Sequence, residues 1–227
     1  MRRDSICLIP SLVLSVALLG GCKSNAERAD ELYASALTAS APSEAIALLQ
    51  EAIGLNPRLE GAHRELANVQ FGQANFPAAI DAASAALALQ ETAEARAIRG
   101  QSHFAQESWE PARADLQRAQ EIDMTRTDLM MPLGVAHREL GQTEAALGMF
   151  ERLLEADPDD RAAALEIAEI ELDQATELVA PEELNEEIRT QVRSLLTHAS
   201  TLAPESIVGP GEAVADAERW VFEGEPG

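Results

Sequence analysis

The sequence predicts an all-α protein in which antiparallel helix pairs stack into a solenoid of about five units, the last of them distorted. An apolar helical template recurs every 33 or 34 residues, with equivalent positions at Ile46, Ile80, Arg113 and Leu147. Aromatic residues make up only 4% of the 227 residues, while alanine is abundant. This composition favours closely packed helices over a sheet sandwich.

The first 21 residues have the three-part layout of a secretory signal. Arg2 and Arg3 form a basic head, residues 6–19 are almost wholly apolar, and Gly20 and Gly21 supply small side chains. The apolar run is shorter than the roughly 18 to 20 residues that cross a bilayer as a helix. We therefore expect residues 1–21 to be removed rather than kept as a membrane anchor.

The four residues from Leu19 to Cys22, Leu-Gly-Gly-Cys, resemble the lipobox of bacterial lipoproteins. The resemblance implies cleavage between Gly21 and Cys22 and covalent acyl groups on Cys22, with no other cofactor. Two or three acyl chains anchor a protein stably to a membrane. Lys23 stands where Asp would mark inner-membrane retention in the enterobacterial sorting rule, so the periplasmic face of the outer membrane is the expected location. The alternative is a short signal followed by an incidental cysteine.

The charge balance limits the possible partners. The chain has 17 basic against 39 acidic residues, a net charge of −22, and loss of residues 1–21 would remove only Arg2, Arg3 and Asp4 of these. Such a surface repels phosphate backbones and anionic headgroups. We expect no nucleic-acid binding, and membrane association only through the lipid. Cys22 would be the one cysteine left, so no internal disulfide is expected.

After a short tether at residues 22–25, the repeated units follow one another along the chain. In units one, two and four the template places apolar residues at i, i+1, i+4, i+7 and i+8, which is a broad helical stripe. Unit three repeats it more weakly, with Arg113 and Gln120 at two of these positions. Pro42, Pro77 and Pro111 fall where the first turn of a second helix is expected, a position that tolerates the missing N–H. Each unit is thus two helices and a turn. The predicted units are 26–59, 60–92, 93–126, 127–160 and 161–204.

Two units depart from the pattern. Pro132 lies inside the first helix of the fourth unit, so that helix should begin late, near Asp128, or be kinked. The fifth unit has 44 residues and requires an insertion, which a longer second helix over about 183–202 would absorb. A distorted last unit suits a cap on the solenoid. The tail, 205–227, is expected to be partly disordered or to cap it further.

The repeated unit resembles the tetratricopeptide repeat (TPR). Residues 127–160 match best, through Leu133, Gly134, Gly141, Ala146, Phe150 and Pro158. The resemblance implies a right-handed superhelix whose first helices line a concave groove that binds a protein or peptide. In this family, certain positions of the first helices line the groove. In the first unit Asp30 and Leu37 occupy such positions. In the later units the groove residues are Arg64, Asn68, Phe71, Gln101, Phe104, Met131, Val135, Arg138, Leu165 and Glu169.

One known ligand mode of that family is not reproduced. Arg64 and Asn68 fit the first half of a clamp for a C-terminal carboxylate, but Ile98, Asp128 and Pro132 occupy its remaining positions. A receptor for C-terminal carboxylates is therefore disfavoured.

We predict no catalytic residue and no metal site. The four histidines are accompanied by no metalloprotease, nucleophile-elbow or phosphate-loop motif. His103 and His137 hold the same position in consecutive units, but no third ligand stands in register, which favours a structural role.

Together these features predict a lipid-anchored, noncatalytic adaptor of a bacterial envelope. In architecture and size it resembles the lipoproteins that pilot secretin assembly for type IV pili, and more loosely those of other envelope assemblies. Two alternatives stay open. One is a structural homo-oligomer, a homodimer for example, in which Trp220 and Phe222 pack into another copy's groove. The other is an enzyme with an unfamiliar site.

Overall fold

The structure, a computed structural model, describes residues 23–179 and Thr190. All regular secondary structure in this part of the chain is helical, so the all-α prediction is confirmed. The signal segment, Cys22, the second helix predicted at 183–202 and the tail lie outside the described residues. The nine helices described are α1 (Asn25–Ala36), α2 (Pro42–Leu55), α3 (Glu60–Gly72), α4 (Phe76–Leu89), α5 (Ala93–Ala105), α6 (Trp109–Ile122), α7 (Met130–Glu139), α8 (Thr143–Ala156) and α9 (Arg161–Val179).

Local sequence signals explain where the helices start. Ser24 and Glu27 form a reciprocal capping box at the start of α1, and the Thr92 side chain caps α5. Pro42, Pro77 and Pro111 lie at the first, second and third residues of α2, α4 and α6. These positions have no N–H partner inside the helix, so proline costs little there.

The fourth unit begins irregularly, as Pro132 predicts. A short 3₁₀ turn, Thr127–Leu129, precedes α7, which starts at Met130 and has only 10 residues. Pro132 is thus the third residue of α7, inside the turn that lacks internal donors. The helix begins two residues later than the expected start near Asp128.

Three of the turns inside the units are identical in conformation. Ala74, Glu107 and Gly141 have φ values of 55°, 56° and 69° and follow α3, α5 and α7. In each turn the next amide donates to the carbonyl five residues earlier at 2.9 Å, which is the Schellman geometry. A common turn therefore sets the angle between the two helices of units two, three and four.

The core lies between successive helices and is built largely from alanine. At the centre of the second helices, Leu49, Ala83, Leu116 and Phe150 are completely buried. A Cβ atom added at Gly134 of α7 would come within 2.5 Å of the Phe150 ring, so only glycine permits this approach. Each helix packs against the next one along the chain, and α5 also contacts α3 and α7. The first helices of the central units thus form one continuous layer.

Candidate functional site

A pocket of about 530 Å³ lies between α3, α5 and the loop that follows α6. Its floor is apolar, because Ala97 and Ile98 of α5 are almost completely buried and Phe71 of α3 is half-buried. The Phe71 ring packs on Phe76 at 5.8 Å between ring centres, which fixes its position. The pocket rim is polar and is formed by Asn68, Thr92, Glu94, Gln101, Asp123 and Arg126.

Arg64 lies beside this pocket and forms ion pairs with other residues of the protein. Its guanidinium forms ion pairs with Glu60 on its own helix, at 3.3 Å, and with Glu94 on α5. The second pair joins units two and three across the layer of first helices. Because both carboxylates approach it, Arg64 adds little net positive charge to the groove.

Arg138, the other predicted cation of the groove, is also neutralised. Its Nη1 lies 2.8 Å from Glu166 and 2.7 Å from Glu169, both on α9, and Nη2 contacts Glu139. Burial lowers the pKa of Arg138, but the carboxylates outweigh it and raise that pKa overall. Burial raises the pKa of Glu166, and Arg138 only partly opposes this. The pairing joins α7 to α9.

The pocket rim contains one carboxylate that is held by neutral donors. Asp123 Oδ1 accepts hydrogen bonds from the Thr125 amide at 3.0 Å and from its hydroxyl at 2.6 Å. These bonds hold the pKa of Asp123 below its ordinary value, so it is ionised at neutral pH. The neighbouring Arg126 donates to both oxygens of Asp128 at 2.8 Å, so its guanidinium forms its ion pair with that carboxylate.

Comparison with known proteins identifies the repeat. A family model described as tetratricopeptide repeat matches residues 64–126 and 131–189, which is more than half of the chain. The protein belongs to the tetratricopeptide repeat family. The predicted TPR solenoid is therefore confirmed, and this fold is typical of scaffolds for protein–protein interaction. Curated proteins compared by sequence give no match.

Solved structures show the same architecture. A TPR protein with an unusual peptide-binding site, YrrB, matches with a TM-score of 0.63 and 20% identity over 82% of this chain and 90% of its own. Pseudomonas aeruginosa PilF matches with a TM-score of 0.54 and 19% identity over 88% of this chain and 95% of its own. MamA from Desulfovibrio magneticus RS-1 matches with a TM-score of 0.61 and 13% identity over 79% of this chain and 96% of its own. At these identities the likeness concerns the fold.

The structure brings some of the predicted groove residues together and separates others. Asn68, Phe71 and Gln101 line the pocket, with Arg64 next to it through Glu94. Phe104 packs edge-on against Trp109 at 5.4 Å. Met131 and Val135 pack against the buried cluster around Phe150 and Ile167. In the last described unit, Leu165 is half-buried and Glu169 is exposed and paired with Arg138.

The predicted list omits several residues that form the pocket: Thr92, Glu94, Asp123 and Arg126. Glu94 stands at the second position of its unit, a groove position of the TPR family, so the repeat register could have identified it. Asp123 and Arg126 lie in the loop between units. No helical periodicity marks such residues.

The described histidines have separate structural surroundings. His137 is buried, and its Nδ1 lies 2.6 Å from Gln142 Oε1 in the turn before α8. Burial lowers the pKa of His103, which keeps it neutral at pH 7. Within residues 23–179, no group of three His, Cys, Asp or Glu side chains is arranged to hold a metal ion. None of the helices described there is long and apolar enough to span a membrane.

Proposed function

We propose that this TPR protein is a noncatalytic adaptor, anchored by lipid to the envelope, which holds a protein partner in its groove during assembly of an envelope complex. The observation that carries the binding function is the pocket between α3 and α5. It combines an apolar floor with the amides of Asn68 and Gln101 from two successive units, of which Asn68 also donates a long hydrogen bond, 3.3 Å, to Glu65 on its own helix. Amides above an apolar floor can hydrogen-bond a peptide backbone while the floor buries its side chains.

The fold comparisons support a peptide or protein as the ligand. YrrB, which has the same fold, is described as a TPR protein with a peptide-binding site. The groove is open along one side, unlike the enclosed sites that small substrates usually occupy. A pilus or secretin system is the proposed envelope complex. This part rests on the resemblance of the sequence, with which the PilF match agrees in architecture and length.

The proposed lipid anchor rests on the Leu-Gly-Gly-Cys sequence at residues 19–22. Changing Cys22 to Ala should move the protein from the membrane to the soluble fraction of the cells, since the acylated thiol is lost. The measurement is immunoblotting of separated outer-membrane, inner-membrane and soluble fractions. The variant Cys7→Ala, in the segment predicted to be removed, is the matched control and should stay in the membrane. Membrane fractionation of the Cys22→Ala protein would disprove the anchor.

Binding through the groove is tested with paired amide variants. The double variant Asn68→Ala/Gln101→Ala removes the two pocket amides, whereas Gln50→Ala/Gln117→Ala removes two exposed amides on second helices. Each protein is used to capture partners from detergent-solubilised envelopes, followed by quantitative mass spectrometry. We expect proteins captured by wild type to be retained by the control pair and lost, by about tenfold or more, from the groove pair. Equal capture by all three proteins would contradict binding through the groove.

The arginines of the groove are poor sites for such a test. Replacing Arg64 or Arg138 by Glu would set a carboxylate against Glu94 or Glu169 and disturb the contact between units. Loss of capture by those variants would then report stability as well as binding.

A further inference from the structure

Among the described residues around the pocket, the carboxylates outnumber the arginines. Arg64 is shared between Glu94 and Glu60, and Arg126 is paired with Asp128, so neither arginine forms an ion pair with Asp123. The Asp123 carboxylate accepts hydrogen bonds from Thr125, which is neutral. Among the described residues no cation forms an ion pair with it, and the charge of Arg126 acts on it only from a distance. An ionised carboxylate therefore stands at the rim of an apolar floor.

The charge of Asp123 is not needed for its structural role. Asn56 and Asp157 occupy the same position after α2 and α8, and each accepts a hydrogen bond from the amide two residues later, at 3.2 and 3.1 Å. Asn56 makes this turn as a neutral amide. The turn thus explains a short polar side chain at position 123 but not its charge.

We propose that this pocket receives a lysine or arginine side chain of the bound partner. The aliphatic part of the side chain would lie over Phe71 and Ile98, and its charged end would meet the Asp123 carboxylate. Lysine and arginine are the side chains that join a long apolar stem to a cationic end. The pocket volume of about 530 Å³ also accommodates the residues that flank such a side chain.

This inference rests on the proposed function, because it names the chemistry of the peptide that the groove binds. It also agrees with the charge of the whole chain, −22, which attracts basic segments and repels acidic ones.

The test uses a phage-displayed library of random 12-residue peptides selected on the full chain. Peptides that fail to bind Asn68→Ala/Gln101→Ala are groove ligands, and we expect Lys or Arg next to an apolar residue to be strongly enriched among them. Representative peptides are then synthesised, and their affinities for wild type, Asp123→Asn and Asp157→Asn are measured by fluorescence anisotropy. Asp157→Asn is the matched control, because it makes the same change at the same turn position outside the pocket.

We expect Asp123→Asn to weaken binding of these peptides by about tenfold and Asp157→Asn to leave it unchanged. Replacing the selected Lys by norleucine, which keeps the stem and removes the charge, should abolish the difference between wild type and Asp123→Asn. Groove ligands without an excess of Lys or Arg, or equal effects of the two Asn variants, would overturn this inference and leave the proposed function standing. Selection of no groove ligand at all would overturn both.

Discussion

Asp115 of α6 is the most deeply buried carboxylate among the acidic groups paired with arginine, at 4% exposure. It accepts hydrogen bonds from Arg96 at 2.7 Å and from Arg99 at 2.6 and 2.8 Å, both on α5. Arg99 also donates to Ser84 on α4. Burial raises the pKa of Asp115, but the hydrogen bonds from Arg99 and Arg96 outweigh it and lower that pKa overall. Asp115 therefore joins α5 to α6 inside unit three, and Arg99 extends the network to unit two through Ser84.

Replacing Asp115 by Asn should lower the free energy of unfolding by about 2 to 3 kcal/mol at pH 7. The change leaves two guanidinium groups, each still about a quarter exposed, without their charge partner. Urea unfolding followed by circular dichroism measures it. Glu110→Gln, which removes an exposed pair with Arg113, is the control and should cost less than about 1 kcal/mol. Equal effects of the two variants would show that burial adds nothing to the Asp115 pair.

The same variant should change how stability depends on pH. Because the folded pKa of Asp115 is lowered, its contribution is present above the unfolded value, about 3.9, and is lost as pH falls through the folded value. The difference in urea midpoint between wild type and Asp115→Asn should therefore be constant from pH 8 to 5 and shrink below about pH 4. A difference that grew on acidification would show that the sign of the shift is wrong.

For single residues, the sequence predicts which side chains face the groove better than it predicts which of them form ion pairs. Arg64 and Arg138 occupy the positions assigned to them by the repeat, but their partners Glu94 and Glu169 lie 30 and 31 residues away. Whether such distant side chains meet depends on the rotation between successive units, which no local pattern specifies. Because both arginines are paired with carboxylates, the groove is more acidic in the structure than Arg64 and Arg138 alone would suggest.

For the helices and the turns between them, the sequence predicts where helices begin better than it predicts the conformation of the turns. The prolines predict where α2, α4 and α6 begin, since their chemistry restricts them to a first turn. The left-handed residue of the turn is glycine only in unit four, at Gly141, and is Ala74 or Glu107 in units two and three. Where glycine is missing, no residue type marks the left-handed position. The repeat spacing does mark it, because residues 74, 107 and 141 are 33 and 34 residues apart.

Replacing Ala74 by Gly should raise the free energy of unfolding by about 0.5 to 1 kcal/mol. At φ 55° the Cβ atom of alanine is strained, whereas glycine adopts this conformation readily. Thermal and urea unfolding measure the change, and Gly141→Ala should lower stability by a similar amount. The control Ala47→Gly, in the exposed interior of α2, should also lower stability, since there glycine adds only flexibility. If Ala74→Gly behaved like Ala47→Gly, the left-handed turn would be in error.

The molecule as a whole is a linear array in which contacts run mainly between neighbouring helices. α1 contacts α2, α2 contacts α3, and this order continues to α9. Contacts between first helices add to it, such as those of α3 with α5, of α5 with α7, and of Arg138 on α7 with α9. In such an array the stability of each unit is the sum of its own packing and its interfaces. The first described unit has a described neighbour on one side only, while units two and three are joined by the Arg64–Glu94 ion pair and by the hydrogen bond from Arg99 to Ser84. The array should therefore open first in α1 and α2.

Replacing Leu49 by Ala tests this order. Leu49 is completely buried at the centre of the first unit, and its truncation should cost about 2 to 5 kcal/mol, which is more than one terminal unit can lose without opening. Hydrogen exchange followed by mass spectrometry should show loss of amide protection in α1 and α2, with protection kept in α5 to α8. The matched variant Leu116→Ala, at the equivalent position of the third unit, should reduce protection on both sides of α6 because it weakens two interfaces. Uniform loss of protection along the whole chain in Leu49→Ala would instead show that the solenoid unfolds as one cooperative body.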